Sequence, residues 1–292
     1  MPVAVVTDST QYLPAELLAR HGIRVVSLYV KRGDALERES ELLEDLDTYY
    51  ERLRTDPDTT TSQPSVGDFL ACYEPLLEAG QDILSIHLSG GISGTYGSAL
   101  QAQAQLAERG HDGRIAVLDS STVCGGLGLV VLAAADRASS GTALAEVAEH
   151  AQAARDELRI WFCLDTLEYL RRGGRVGGAQ AWIGGALKIK PILSLESQIM
   201  PVERVRTAGR AFERMVEYMR TLHTDGRDTW CVQHIQAPED AQRLVGRGRD
   251  IFGCEPVFVS EVGPVIGAHA GPGMLGVGGT SAARPATAST GS

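Results

Sequence analysis

One unit recurs three times in the first half of this chain: a short β-branched or aliphatic run, a loop of Ser, Thr, Asp or Gly, then a stretch with helical spacing. Residues 3–6 lead into Thr7-Asp8-Ser9-Thr10 and a helix over residues 14–21. Residues 82–88 lead into a loop over 89–95 and a helix over 96–109. Residues 114–118 lead into Asp119-Ser120-Ser121-Thr122 and an Ala-rich helix ending near Ser139. This alternation predicts right-handed β-α-β units, hence a parallel sheet with helices on both faces. In such sheets ligands occupy the crevice beyond the carboxyl ends of the strands, where these hydroxyl-rich loops fall.

Residues 23–30 read as a second strand of this sheet, and residues 41–54 as an acidic amphipathic helix ahead of a loop carrying Thr61. A polar helix over 143–158 and a strand over 160–164 follow. Glycines and basic residues then become dense over 173–185, and later strands near 229–235 and 255–262 are joined by helices of a different rhythm. The length prior for 292 residues is about two domains. The expected organisation is an N-terminal α/β domain over 1–158, a C-terminal α/β domain over 159–279 and a disordered tail over 280–292, where Gly, Ser, Thr, Ala and Pro show no apolar period.

Composition, with 43% hydrophobic and 22% charged residues, is that of a globular protein. A net charge of −10 opposes attraction to phosphate backbones, so nucleic acid is not an expected partner. The five cysteines are scattered, odd in number and lack a C-x-x-C pair, which predicts reduced thiols and a cytoplasmic location. The longest strongly apolar stretch, residues 127–135, falls well short of the roughly 20 residues of a bilayer span, so no integral membrane association is expected.

The chemistry-bearing residues fall in three segments: Thr61-Ser62-Gln63-Pro64-Ser65, the loop containing Ser93-Gly94-Thr95, and His269-Ala270-Gly271-Pro272-Gly273. Ser65 stands as an N-cap with Asp68 three residues on, a capping-box spacing; Ser93 and Thr95 occupy the same place before the next helix. Two helix N-termini converging there would bind an anion of carboxylate size without a buried Lys or Arg. The plainer reading, that these hydroxyls only cap helices and turns, stands beside it. His269 precedes a Gly-Pro-Gly turn that brings the imidazole to a crevice, where it is either structural or a donor to a carboxylate. Arg171, Arg172, Arg175, Lys188 and Lys190 run without an intervening acid, with Arg206 as an extension. They form either a solvated turn or a docking patch for a phosphate or an acidic partner.

Other chemistries lack their motifs. There is no G-x-x-x-x-G-K-[ST] loop for ATP, no complete G-x-S-x-G elbow around Ser93, no dinucleotide fingerprint at Gly125-Gly126-Leu127-Gly128 and no close histidine pair for a metal. No cofactor and no metal site is expected. A competing class is a serine hydrolase or acyltransferase with Ser93 as nucleophile and His269 as base. A third is a lipid-responsive sensor whose filled and empty forms dock differently.

Over roughly residues 3–278 the chain resembles the DegV family of bacterial lipid-binding proteins. The resemblance is carried by Thr7-Asp8-Ser9-Thr10, residues 61–65, Ser93-Gly94-Thr95-Tyr96, Leu167-Glu168-Tyr169-Leu170 with Gly173-Gly174-Arg175, Lys190-Pro191-Ile192-Leu193, Val205-Arg206-Thr207 and residues 269–273. It implies a two-domain α/β fold with a long-chain fatty acid buried between the domains. The carboxylate would be held by Thr61, Ser62, Ser93, Gly94, Thr95 and His269. It further implies a non-catalytic subunit that presents the acid to a separate ATP-binding fatty acid kinase, with Arg175 and Arg206 facing the phosphate or the kinase. Ala270 stands where the family usually has Thr, Ser197-Gln198 where a turn glycine is common, and Gln11-Tyr12 where a small and acidic pair is usual.

Overall fold

The computed structural model describes residues 1–55, 59–183 and 189–282; Lys188 and residues 283–292 of the expected tail lie outside the described residues. The first half runs β1 (Val3–Asp8), α1 (Ala15–His21), β2 (Arg24–Val26), β3 (Tyr29–Arg32), β4 (Ala35–Arg38), α2 (Glu39–Leu42), α3 (Leu46–Thr55), β5 (Thr60–Ser62), α4 (Val66–Glu78), β6 (Asp82–His87), α5 (Thr95–Leu106), β7 (Ile115–Asp119), α6 (Cys124–Ser139) and α7 (Leu144–Glu157). Four strands form a wholly parallel sheet in the order β2-β1-β6-β7. Alternation along β1 explains why both faces are covered: Ala4 and Val6 pack with Phe69, Tyr73 and Ala99 of α4 and α5, while Val5 joins Leu127, Val130 and Ala134 of α6. The apolar run 127–135 is therefore a core helix, buried throughout. Among the described residues no helix is long and apolar enough to cross a membrane.

The strand expected over residues 23–30 is broken in two. Only β2 joins the parallel sheet; β3 turns into a separate antiparallel sheet, β4-β3-β5. Local side-chain bonds divert the chain. The Ser27 hydroxyl donates to the Leu28 carbonyl (2.9 Å) and accepts from the Ser40 amide (3.1 Å), while the Leu28 amide donates to Ser9 Oγ (3.0 Å). Thr61 consequently lies on a strand paired with Val30, rather than in the expected loop. The expected helix over 41–54 is interrupted by a 3-10 turn at Leu43–Asp45.

The second half runs β8 (Arg159–Cys163), α8 (Glu168–Arg172), β9 (Lys190–Glu196), β10 (Gln198–Val205), α9 (Ala208–Thr224), β11 (Thr229–His234), α10 (Pro238–Phe252), β12 (Phe258–Glu261), α11 (Pro264–Ala270) and β13 (Leu275–Thr280). Its six-stranded sheet has the order β10-β9-β8-β13-β11-β12, antiparallel except between β11 and β12. One face, with Trp230, Val232 and Val277, packs under α9 and α10 through Met215, Met219 and Leu244. The other face, with Leu193, Leu195 and Cys231, shares its core with α6.

The two halves are tied by polar contacts as well as by that core. At the tip of the β9–β10 hairpin, Ser197 has φ 68. Its carbonyl accepts from Ser89 Oγ (2.6 Å) and its amide donates to the Ser121 carbonyl (2.9 Å). A Cβ on Gly91 would lie 2.3 Å from that Ser197 oxygen, so this close approach requires glycine. Tyr49 and Tyr50 of α3 donate to the carbonyls of Pro264 (2.9 Å) and Val262 (2.6 Å) at the start of α11.

Candidate functional site

A cavity of about 260 Å³ lies where the loops after β6 and β7 and the first turn of α6 meet the inner face of the six-stranded sheet. Most of its wall is apolar, with Leu28, Leu88, Val123, Leu195, Ile199, Val265 and Met274. Its polar lining comprises Thr61, Ser62, Gln63, Ser93, Gly94, Arg175 and His269, together with Gln233 on β11. Thr61, Arg175 and His269 also line an outer cleft with Tyr169 and Arg172. Ser93, Gly94 and Arg175 line a second outer cleft with Gln198 and Ile199. The polar end of the cavity therefore stands between the apolar interior and the surface.

His269 Nε2 lies 2.8 Å from Thr61 Oγ1, and its buried Nδ1 has no partner. Burial, and then the positive charge of Arg175, hold the imidazole down to about pKa 4, so it is neutral at pH 7. Orphaned N–H groups are rarer than under-used acceptors, which assigns the single proton to Nε2. Thr61 Oγ1 then accepts from the imidazole, and its own hydroxyl hydrogen is left to donate to a ligand. Gly173 makes this placement possible, since a Cβ there would lie 2.0 Å from His269 Nδ1.

Ser93 Oγ lies 2.9 Å from Thr95 Oγ1, and Gly94 is the N-cap of α5. The positive end of that helix dipole thus borders the cavity. Arg175 donates to the carbonyls of Gly173 (2.7 Å) and Ile92 (3.3 Å) and has no carboxylate partner among the described residues. A cation, a helix N-terminus and hydroxyl donors with no acidic side chain among the cavity-lining residues make an anion-binding constellation.

Remote residues fix these groups. Glu39, fully buried, accepts from Ser9 Oγ (2.5 Å), Tyr12 OH (2.7 Å) and the Val265 amide (2.7 Å), pinning the start of the helix that carries His269. Burial lifts its carboxyl to about 7 against the lowering effect of these donors. Asp8, also buried, accepts from the Leu88 amide (2.9 Å) and lies 3.1 Å from His87 Nδ1, anchoring the loop that leads to Ser93. His87 Nε2 lies 2.7 Å from Ser85 Oγ, a Ser-His-Asp order that is fully buried in the sheet.

Several expectations change. The α4 N-terminus does not border the cavity; its Ser65 and Asp68 bond each other in a complete capping box, so of the two helix ends expected to converge only that of α5 reaches the site. Thr95 is buried behind Ser93 and is not a lining residue. Arg206, expected to face the phosphate or the partner, is exposed just after β10 and is not among the lining residues. Arg171 and Arg172 pair with Glu168, and Lys190 with Asp165, leaving Arg175, among the described residues, as the cation of that segment at the cavity. Among the described residues Ser93 and His269 do not pair and no acid bonds the imidazole, so these residues do not form the hydrolase arrangement. Among the described residues no group of His, Cys, Asp and Glu is placed to hold a metal. Gln63, inside a motif already singled out, was missed: its amide donates to Ser98 Oγ (3.1 Å) and occupies the space that a side chain at Gly94 would need.

Residues 2–281 match a family model described as an uncharacterised protein of the DegV family. A DegV domain-containing protein of Streptomyces coelicolor is 42% identical over 279 residues, covering 94% of this chain and 97% of the relative. Among solved structures, the fatty-acid-binding DegV of Bacillus subtilis superposes with a TM-score of 0.84 at 34% identity, covering 96% of this chain and 99% of the other. A fatty-acid-binding DegV family protein of Thermus thermophilus gives 0.81 at 33% identity, covering 96% and 100%.

Proposed function

Since this chain belongs to the DegV family, we propose that it holds a long-chain fatty acid in the cavity, with the carboxylate at Thr61, Ser62, Ser93 and Gly94, with His269 orienting Thr61 and with Thr95 supporting Ser93. The observation that carries this reading is the Thr61 hydroxyl, 2.8 Å from His269 Nε2, grouped with Ser93 and Arg175 along a largely apolar cavity. Burying about 14 methylenes contributes on the order of 11 kcal/mol gross, before ordering and association costs reduce it. Such a ligand survives purification. The sequence lacks the G-x-x-x-x-G-K-[ST] motif of an ATP-binding loop. We therefore propose further that it presents the carboxylate, through the outer clefts bordered by Arg175, to a separate ATP-binding kinase that makes the acyl phosphate. Exposed Arg206 serves the docking of that partner. The apolar walls would keep water from the hydrolysis-prone acyl phosphate.

Native mass spectrometry of the purified protein, with identification of the small molecule released on denaturation, tests the first step. A stoichiometric, non-covalent fatty acid is expected; a protein that is empty and refuses loading would overturn the reading. Thr61→Val and Ser93→Ala are expected to weaken retention of the acid several-fold, each removing one charge-assisted hydrogen bond. Arg206→Ala is expected to leave retention unchanged and to slow phosphorylation by the partner. Equal loss of binding in all three variants contradicts this division of roles.

A further inference from the structure

The floor of the cavity is built by three neighbouring strands in register. Gly278 of β13 lies opposite Ile160 on β8 and Cys231 on β11; two residues earlier, Gly276 lies opposite Phe162 and Gln233. All six line the cavity. Side chains alternate between the faces of a strand, so these positions share one face and Val277 the other, where it joins the core under α9 and α10. The central strand of the floor thus carries no side chain toward the cavity at two successive rungs, while its neighbours do. The result is a trough along β13 between two ridges.

The roof meets the β11 ridge at both rungs, and the Gly125 amide donates to Gln233 Oε1 at the Gly276 rung. A Cβ on Gly125 would lie 2.6 Å from Cys231 Sγ, and one on Gly126 3.2 Å from the Ile160 methyl Cγ2. The first turn of α6 therefore packs on both ridges, and a side chain at Gly278 would project between them and push the Ile160 ridge aside. A Cβ there would meet Ile160 Cγ2 at 2.9 Å and Cys231 Sγ at 3.6 Å. Gly276 is less confined, with Met274 Cε at 3.3 Å and Phe162 Cβ at 3.4 Å. Neither glycine has a positive φ, so the backbone conformation does not explain their identity.

We propose that this trough is the bed of the acyl tail and that Gly276 and Gly278 set how long a chain the protein accepts, an inference that rests on the fatty-acid reading above. Chain order fixes the direction. The turn after His269 leads directly into β13, so Gly276 is the rung nearer the carboxylate and Gly278 the deeper one. The rungs are about 6.8 Å apart along an antiparallel strand. An extended chain advances roughly 3.4 Å per three backbone bonds, so one rung corresponds to about six carbons of tail.

The test is competitive loading of the full-length wild type, Gly278→Val, Gly278→Ala and Gly276→Val with an equimolar mixture of saturated acids of graded length, read by native mass spectrometry. Circular dichroism and thermal unfolding of each variant accompany it. Gly278→Val is expected to shift the bound distribution to shorter acids, Gly278→Ala to shift it less, and Gly276→Val to shift it further by about six carbons. A folded Gly278→Val with the wild-type length distribution overturns the proposal, as does an equal shift at both positions. Should Gly278→Val fail to fold, an unshifted Gly278→Ala overturns it by itself. Wild type that takes up no acid of any length sinks the underlying fatty-acid reading instead, and the trough assignment with it.

Discussion

At the residue scale, two buried titratable groups support the polar end from opposite sides of the pH range. His269 has a folded pKa of about 4, below its ordinary 6.5. The stability associated with its neutral form is complete above pH 6.5 and is lost as pH falls toward 4. Glu39 has a folded pKa of about 7, above its ordinary 4.5. Its contribution is complete below pH 4.5 and is lost as pH rises through 7. In urea unfolding at pH 5 and pH 8, Glu39→Gln is therefore expected to compare better with wild type at pH 8 than at pH 5. Equal differences at both pH values would show that Glu39 does not titrate in this window. The sequence pointed to His269 through its Gly-Pro-Gly turn. It gave no sign of Glu39, one acid among many in a charged stretch, because its burial is created by residues more than two hundred positions away, at Val265.

At the scale of elements, the parallel sheet could be read from three strand-loop-helix units, since their signals are local: apolar runs, caps and helical spacing. Residues 27–28 could not, because what bends the chain there is a set of side-chain bonds to Ser9 and Ser40 rather than a glycine or proline. The same limit explains the helix ends. Both Ser65 and Ser93 look like caps in sequence, but Ser65 has its own Asp68 as a reciprocal partner and is self-contained. Ser65→Ala is accordingly expected to lower stability by about 1 kcal/mol and to leave acid retention unchanged. A large loss of retention in a folded variant would place the α4 terminus at the site after all.

On the scale of the whole molecule, one apolar cluster contains Val5 and Leu84 from the parallel sheet, Leu195 and Cys231 from the six-stranded sheet, and Leu127 and Val265 from helices on both sides of residue 158. Strands of the two smaller sheets all precede residue 120 and those of the larger sheet all follow residue 158, and the proposed units 1–158 and 159–279 meet through that shared core. A single cooperative thermal transition is expected by calorimetry. A saturating acid should raise its midpoint, with about 2.7 kcal/mol of stabilisation at a hundred times Kd. Two resolved transitions would show that the halves melt independently. The resemblance legible in the sequence covered nearly the whole chain. The trough was not legible, because its meaning depends on which strands flank β13, and these come from distant parts of the chain.

That order of strands also has a consequence in time. The strand that separates β8 from β11, and that floors the cavity, comes later in the chain than every strand it pairs with or bounds. On the ribosome, the parallel sheet and its helices can assemble while β8 and β11 still wait for their common neighbour. The proposed bed for an acyl tail is therefore incomplete until translation has passed residue 280.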